Sequence, residues 1–284
     1  MPRFFTVTEV QRLCQKYGFH PSKQYGQNYL LNLEPIEQMI VAADLKKNDT
    51  VVEVGPGFGV LTFALAEEVK KVVGFEIEKK LQPYWKEQTK DFPNIHMEWG
   101  NVLSRFKETF KDQEKYKVVA NLPYQITSSI LKLFLEETDK QPESMVLLVQ
   151  KEVAERICAK PGDMSVLAVA VQFFSTPEII TKVSRHLFWP VPQVDSAIIK
   201  ISDIKRSRFV DQKSFSIPNF FKFVRLGFLN RRKLLYKNLL AIAGKEQKEK
   251  IDHIWQKLGW DHNRRAQELS VVEWTNLFNL WQQV

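Results

Sequence analysis

The sequence has little of what would make it a secreted, membrane-spanning or metal-dependent protein. Two cysteines, Cys14 and Cys158, stand in 284 residues. That is too few for a disulfide framework or a cysteine-built zinc site, and it fits a reducing cytosol. Five histidines (His20, His96, His186, His253 and His262) are scattered without metal-ligand spacing, so they read as surface or satisfied core residues and no metal is expected. No apolar run approaches the roughly 20 residues needed to cross a bilayer. The start, Met1-Pro2-Arg3-Phe4-Phe5-Thr6, lacks an apolar h-region and a small-residue cleavage site. A cytoplasmic protein with no membrane partner and no secretory signal is therefore expected. Internal repeats and low-complexity segments are also missing.

What is present is a globular composition, 44% hydrophobic and 26% charged, which excludes a disordered or collagen-like chain. The length suits one large domain or two ordinary ones. The net charge of +8 is unevenly placed. Residues 200–284 hold 17 Lys+Arg against 8 Asp+Glu, a net of +9, and the first 199 residues come to −1. That asymmetry suggests a near-neutral catalytic or small-ligand part followed by a polyanion-facing part, although solvated helix faces would give the same composition.

Along the chain, a short helix is expected over residues 8–17 with Thr8 as its N-cap. From Leu45 onward, β-rich runs (50–54, 72–77, 95–98, 117–120 and 145–149) alternate with helical patterns around 61–69, 81–89 and 128–136. That alternation predicts parallel βαβ units and a doubly wound α/β sheet. A helix over 151–158 and a helix or strand over 166–174 follow. Next come a proline-stiffened loop, Phe188-Trp189-Pro190-Val191-Pro192, and a final strand, 196–201, that closes the first domain. The polar stretch 202–216 reads as a linker. Helices are expected over 217–229, 233–243, 245–258 and 271–281. The domains are thus 1–203, with an N-terminal extension over 1–24, and a basic helical domain, 204–284. The aromatics Trp255, Trp260, Trp274, Phe278 and Trp281 recur at helical spacing and read as packing of that helical domain.

Two segments carry chemistry. The strand ending in Glu53-Val54-Gly55-Pro56-Gly57-Phe58-Gly59 opens a helix, as a backbone that closely approaches a ligand must. Glu76, 21 residues after Gly55 and at the end of the next strand, can accept both hydroxyls of a ribose. The pair fits either a nicotinamide dinucleotide or S-adenosylmethionine; the Gly-x-Gly-x-Gly spacing, without a basic residue in the loop, favours the second. The other segment is Asn121-Leu122-Pro123-Tyr124, directly after the strand 118–120. An exocyclic adenine amine is a poor nucleophile, because its lone pair is delocalised into the ring. The Asn121 side-chain oxygen and the Leu122 carbonyl can bind its hydrogens and aim that lone pair at a methyl group. Pro123 fixes the turn, and Tyr124 offers a face on which a flipped base can stack.

Six segments in order, Tyr25-Gly26-Gln27-Asn28-Tyr29-Leu30, Glu53-Val54-Gly55-Pro56-Gly57, Asn121-Leu122-Pro123-Tyr124, Gln150-Lys151-Glu152-Val153, Pro190-Val191-Pro192-Gln193-Val194-Asp195-Ser196-Ala197 and Phe228-Leu229-Asn230-Arg231-Arg232-Lys233, resemble the ribosomal RNA adenine dimethyltransferases. The resemblance is nearest to the small-subunit, kasugamycin-resistance branch and runs from about residue 23 to the C-terminal end. It implies a Rossmann-like methyltransferase domain with a small C-terminal all-helical domain. It implies too that S-adenosylmethionine donates two methyls to the N6 amine of each of two adjacent adenosines in a hairpin near the 3′ end of small-subunit rRNA. The partner is then the immature small ribosomal subunit, met by a monomer. Alternatives are the large-subunit, macrolide-resistance branch, or a non-catalytic assembly or transcription factor on the same fold.

Carried over by position, Asn28, Leu30, Gly55, Gly57, Glu76, Asn101 and Asn121 should contact the cofactor, with Gly55 at its methionine part and Glu76 at its ribose. Asn121 should sit between cofactor and target amine, Tyr124 should stack on the base, and Phe188 should close over it from the other side. Asn101 stands where the family usually has Asp, which implies weaker cofactor binding than usual. The stretch Lys160-Pro161-Gly162-Asp163-Met164-Ser165 looks shorter than the family's and lacks its Tyr-Gly-Arg, which puts an RNA-facing loop in doubt. Arg231, Arg232 and Lys233 with Lys237 on a helix, and Arg264 and Arg265 at a turn, are the expected phosphate-facing stripe.

Overall fold

The computed structural model describes residues 5–21, 26–111, 115–206, 209 and 215–283. Tyr25 of the first motif, and Arg208 and Lys213 of the basic stretch, lie outside the described residues. The chain divides into two compact units, one of Met1–Ala154 with Thr176–Ile204 and one of Glu155–Ser175 with Lys205–Val284. No helix among the described residues is long and apolar enough to cross a membrane.

The first unit is built on a mixed seven-stranded sheet. Strands β2 (Thr50–Val54), β3 (Lys71–Glu76), β4 (Ile95–Trp99), β5 (Lys117–Asn121) and β6 (Met145–Gln150) are parallel. Runs such as Met145–Val149, fully buried, are the continuous apolar strands that a sheet covered on both faces demands. With β7 (Thr176–Val183) and β9 (Ser196–Ser202), the order is β4-β3-β2-β5-β6-β9-β7. The chain builds outward from β2 on one side, then returns to β5 on its other side. Between the carboxyl ends of β2 and β5 lies the crevice in which open α/β sheets bind ligands.

The last two strands depart from the doubly wound expectation: β9 is antiparallel to β6, and β7 is antiparallel to β9. The segment joining them contains no crossover helix, so a parallel return is out of reach. Pro177 is tolerated because β7 is an edge. The proline-stiffened loop is not wholly a loop. Its Phe188–Trp189 forms β8, which pairs antiparallel with β1 (Tyr29–Leu30).

Helices α2 (Leu33–Ala43), capped by Asn32, and α5 (Val102–Thr109), capped by Asn101, were not expected from the sequence. The first helix, α1 (Val7–Lys16), starts at Thr6 instead of Thr8. Thr6-x-x-Glu9 is a capping box, in which the Glu9 carboxylate accepts the Thr6 N–H at 2.7 Å and the Thr6 hydroxyl accepts the Glu9 N–H at 3.3 Å.

In the second unit, residues 155–175 join the C-terminal helices instead of the first domain, to which chain order alone assigns them. Residues 166–174, which the sequence allows as helix or strand, form helix α8, capped by Ser165. Its Phe173 stacks on Phe220 of α9 (Ile217–Gly227) at 4.8 Å and meets Phe221 edge-on at 5.4 Å. Trp255, Trp274 and Phe278 are buried, as the packing reading expects. Arg231, Arg232 and Lys233 occupy the turn before α10 (Leu235–Ala243), not the helix itself.

Candidate active site

At the end of β2 the chain turns through Gly55, Pro56 and Gly57 before α3 (Val60–Glu68), and its polar backbone atoms are pinned from several sides. The Gly55 N–H donates to the Phe75 carbonyl at 2.9 Å. The Gly57 N–H donates to Glu76 Oε2 at 2.9 Å. From behind, Trp85 Nε1 donates to the Gly57 carbonyl and the Tyr84 hydroxyl to that of Phe58. Gly57 has φ +57°, and a Cβ there would lie 2.7 Å from the Tyr29 ring, so only glycine fits. The result is a rigid cradle.

Glu76 is buried at the end of β3 and its Oε1 accepts the Glu78 N–H at 2.8 Å. Burial raises its pKa above the usual carboxylate range, while the backbone donors Glu78, Gly57 and Ile77 pull the other way. Each oxygen keeps a further lone pair for a ligand.

Across the crevice, β5 ends at Asn121. Its Nδ2 donates to the Asn28 carbonyl at 3.4 Å, which leaves Oδ1 as the acceptor for another group. Leu122 remains in the sheet through its N–H, which donates to the Leu148 carbonyl at 3.1 Å. Pro123 has no N–H to compete for the Leu122 carbonyl. The Tyr124 hydroxyl is 2.7 Å from Ser196 Oγ, and burial raises its pKa. That contact anchors the phenol by its tip, so the ring cannot swing freely.

These groups line one cavity of about 280 Å³ within the first unit. Asn28, Leu30, Gly55, Gly57, Glu76, Asn101 and Asn121 all border it, as do Leu122, Pro123 and Tyr124. Phe188 does not. Its side chain is 3% exposed and belongs to the hydrophobic core, on β8 opposite Leu30. Phe188 is thus the one predicted site residue of the first unit that the structure does not bring to the cavity wall. Sequence reading also missed Tyr29 and Glu53, both on the cavity wall. A lone carboxylate inside the run Val51-Val52-Glu53-Val54 was the available signal for the latter.

The chain's family is decided by comparison with known proteins. The sequence pattern of the ribosomal RNA adenine dimethylases matches residues 18–283. The chain belongs to that family. Among members, a ribosomal RNA small subunit methyltransferase A from Dehalococcoides mccartyi is 40% identical over 272 residues, covering 95% of this chain and 92% of the relative. A dimethyladenosine transferase from Plasmodium falciparum superposes with a TM-score of 0.74 at 25% identity, covering 89% of this chain and 96% of the other. A 23S rRNA methyltransferase, ErmE, gives 0.71 at 26% identity, covering 90% and 100%. The family's fold is thus the Rossmann-like one described here. Among the described residues, no group of three or more His, Cys, Asp or Glu could hold a metal ion.

On the second unit, Arg231, Arg232, Lys233, Lys237 and Arg265 are exposed. Arg231 Nε donates to Gln267 Oε1 at 3.3 Å. Arg264 departs from the expected stripe. Its guanidinium pairs with Glu273 at 2.7 Å and lies over the Trp260 ring at 4.5 Å, so it serves the packing of its own unit.

Proposed function

We propose that this chain transfers methyl groups from S-adenosylmethionine to the N6 amines of two adjacent adenosines in a hairpin near the 3′ end of small-subunit rRNA, acting on immature small subunits in the cytoplasm. The observation that carries this reading is the meeting of the glycine cradle, Glu76 and Asn121-Leu122-Pro123-Tyr124 around one cavity. That cavity suits the donor. Among the described residues that line it are two carboxylates and no Lys, Arg or His, which favours a sulfonium and disfavours the pyrophosphate of a dinucleotide. The higher identity to a small-subunit enzyme than to ErmE favours the small subunit over the large one. The intact catalytic loop argues against a purely structural role.

When bound, the cofactor supplies an electrophilic methyl group. The protein supplies position. Glu76 has lone pairs for the ribose hydroxyls, and the Gly55–Gly59 backbone permits close approach of the rest. Asn121 Oδ1 and the Leu122 carbonyl accept the hydrogens of the target amine, which concentrates its lone pair on nitrogen for in-line attack. Tyr124, held at its hydroxyl by Ser196, presents its ring to the flipped base. Radiolabelled methyl transfer to under-methylated small subunits tests the reading. Incorporation at the two adenosines is expected, and failure to label them would overturn it.

Asn101 carries a separate prediction. Its Oδ1 already accepts the Leu103 N–H at 3.0 Å as the cap of α5, so the remaining side-chain atom is a donor amide. Asn101→Asp keeps the cap and adds a second, charged acceptor for the cofactor adenine's amine. The cofactor Kd should tighten roughly fivefold, about 1 kcal/mol. Calorimetry showing an unchanged Kd would refute it.

The exposed cations of the second unit are assigned to RNA phosphates. Neutralising Arg231 and Arg232 together, as R231Q/R232Q, should flatten the dependence of log K on log salt by about 1.4 to 1.8. An unchanged slope would remove this face from RNA binding.

A further inference from the structure

Glu53 is the one buried carboxylate at the cavity to which the proposed mechanism gives no task. It is 2% exposed, and its Oε2 makes no hydrogen bond to the described residues. Glu76, by contrast, accepts backbone N–H groups at both of its oxygens, among them those of Gly57 and Glu78. Among the described residues, no cation acts on Glu53. From α3 the Thr62 hydroxyl, itself without a hydrogen-bond partner among the described residues, lies near enough to act on it, as does the Glu76 carboxylate from β3, and β5 alongside carries the apolar Val118, Val119 and Ala120. Burial, the largest influence, pushes the Glu53 pKa up to about 8; Thr62 opposes the shift and the Glu76 charge adds to it. In the free protein at neutral pH, Glu53 is therefore mainly the uncharged acid.

A cation brought into this small, low-dielectric space reverses that balance. We propose that Glu53 senses the charge on the donor's sulfur: it is neutral in the free protein or beside a thioether, and ionised beside a sulfonium. The inference rests on the methyl-donor reading above. The proton leaves the Glu53 carboxyl for solvent as the sulfonium enters. Transfer of the methyl group turns sulfonium into thioether, the electrostatic support for the carboxylate disappears, and Glu53 takes a proton back from solvent. Binding is thus biased toward the unspent donor and against the product, without a residue that recognises the methyl group sterically.

The two ligands share adenosine, ammonium and carboxylate, so their difference isolates the sulfur charge. Calorimetric titrations of the full chain with S-adenosylmethionine and S-adenosylhomocysteine, each in two buffers of different ionisation enthalpy at pH 7, count the protons exchanged. The donor should release close to one proton more than the product. Its preference over the product should rise about tenfold from pH 6 to pH 7 and level off above pH 8. In Glu53→Gln, which cannot ionise, the extra proton and the pH dependence should both vanish, with retained product binding reporting an intact cavity. Equal proton counts for the two ligands in the wild-type chain would overturn the proposal even if the variant failed to fold. Release that survives in Glu53→Gln would move the titration to Glu76 and overturn it too. Absence of any donor binding would instead sink the methyl-donor reading on which the proposal stands.

Discussion

Asn121→Ala is expected to lower the rate of methyl transfer by roughly 10³-fold, as removal of a preorganised hydrogen-bond partner at the reacting atoms does. The donor Kd should change by no more than about tenfold. The asymmetry follows from position. Asn121 lies half-buried at the last residue of β5, so truncation leaves the sheet intact. Its amide nitrogen is occupied by a long, 3.4 Å bond to Asn28, and its oxygen is the group assigned to the target amine. Alanine removes that acceptor and leaves the Leu122 carbonyl alone, which cannot localise the amine lone pair by itself. Single-turnover methylation of under-methylated small subunits, with calorimetry for the Kd, separates the two effects. A variant that methylates at the wild-type rate would remove Asn121 from the chemistry.

Gly57→Ala should affect binding more than chemistry. The new methyl group would sit 2.7 Å from a ring atom of Tyr29, whose ring is wedged against Phe58 at 5.3 Å and Phe19 at 6.3 Å. Tyr29 cannot retreat, so the loop must move, and its N–H then leaves Glu76. Together with the left-handed backbone cost of about 1 to 2 kcal/mol and a lost charge-assisted hydrogen bond, cofactor affinity should fall about 100-fold or more and the Tm by several degrees. Gly18 provides the control. It has φ +59°, yet no atom of the described residues lies within 4 Å of a Cβ placed there. Gly18→Ala should show the backbone cost alone, with cofactor affinity unchanged. Identical behaviour of the two variants would refute the steric account.

The parts of the site that were legible in the sequence are those where chemistry fixes residue type and spacing together. The glycine loop follows a strand with an apolar centre, and Glu76 and Asn121 end two others, and such strands are readable. The helix over residues 33–43 was legible and went unread: Ile36, Met39, Ile40 and Ala43 stand at i, i+3, i+4 and i+7 behind the Asn32 cap, with Pro35 in the first turn. The closing hairpin escaped because strand direction depends on what the connection can span, not on the strands themselves. Phe188 illustrates the limit of a motif: position along the chain marks an aromatic ring but not whether it faces a cavity or the core. Residues 155–175 were assigned by chain order, whereas the aromatic face of α8 finds its partners in Phe220 and Phe221.

The short ladder between β1 and β8 has a consequence for the order of assembly. Tyr29 and Leu30, on the cavity wall, are backed by Phe188 and Trp189 from far along the chain. Pairing across so long an intervening segment carries a large loop-closure cost that only the completed sheet offsets. During synthesis, the glycine loop and the Asn121 turn therefore emerge well before the strand that backs the wall of their cavity. A nascent chain that ends short of Phe188 would carry every catalytic group named here and still lack a finished place to hold the cofactor.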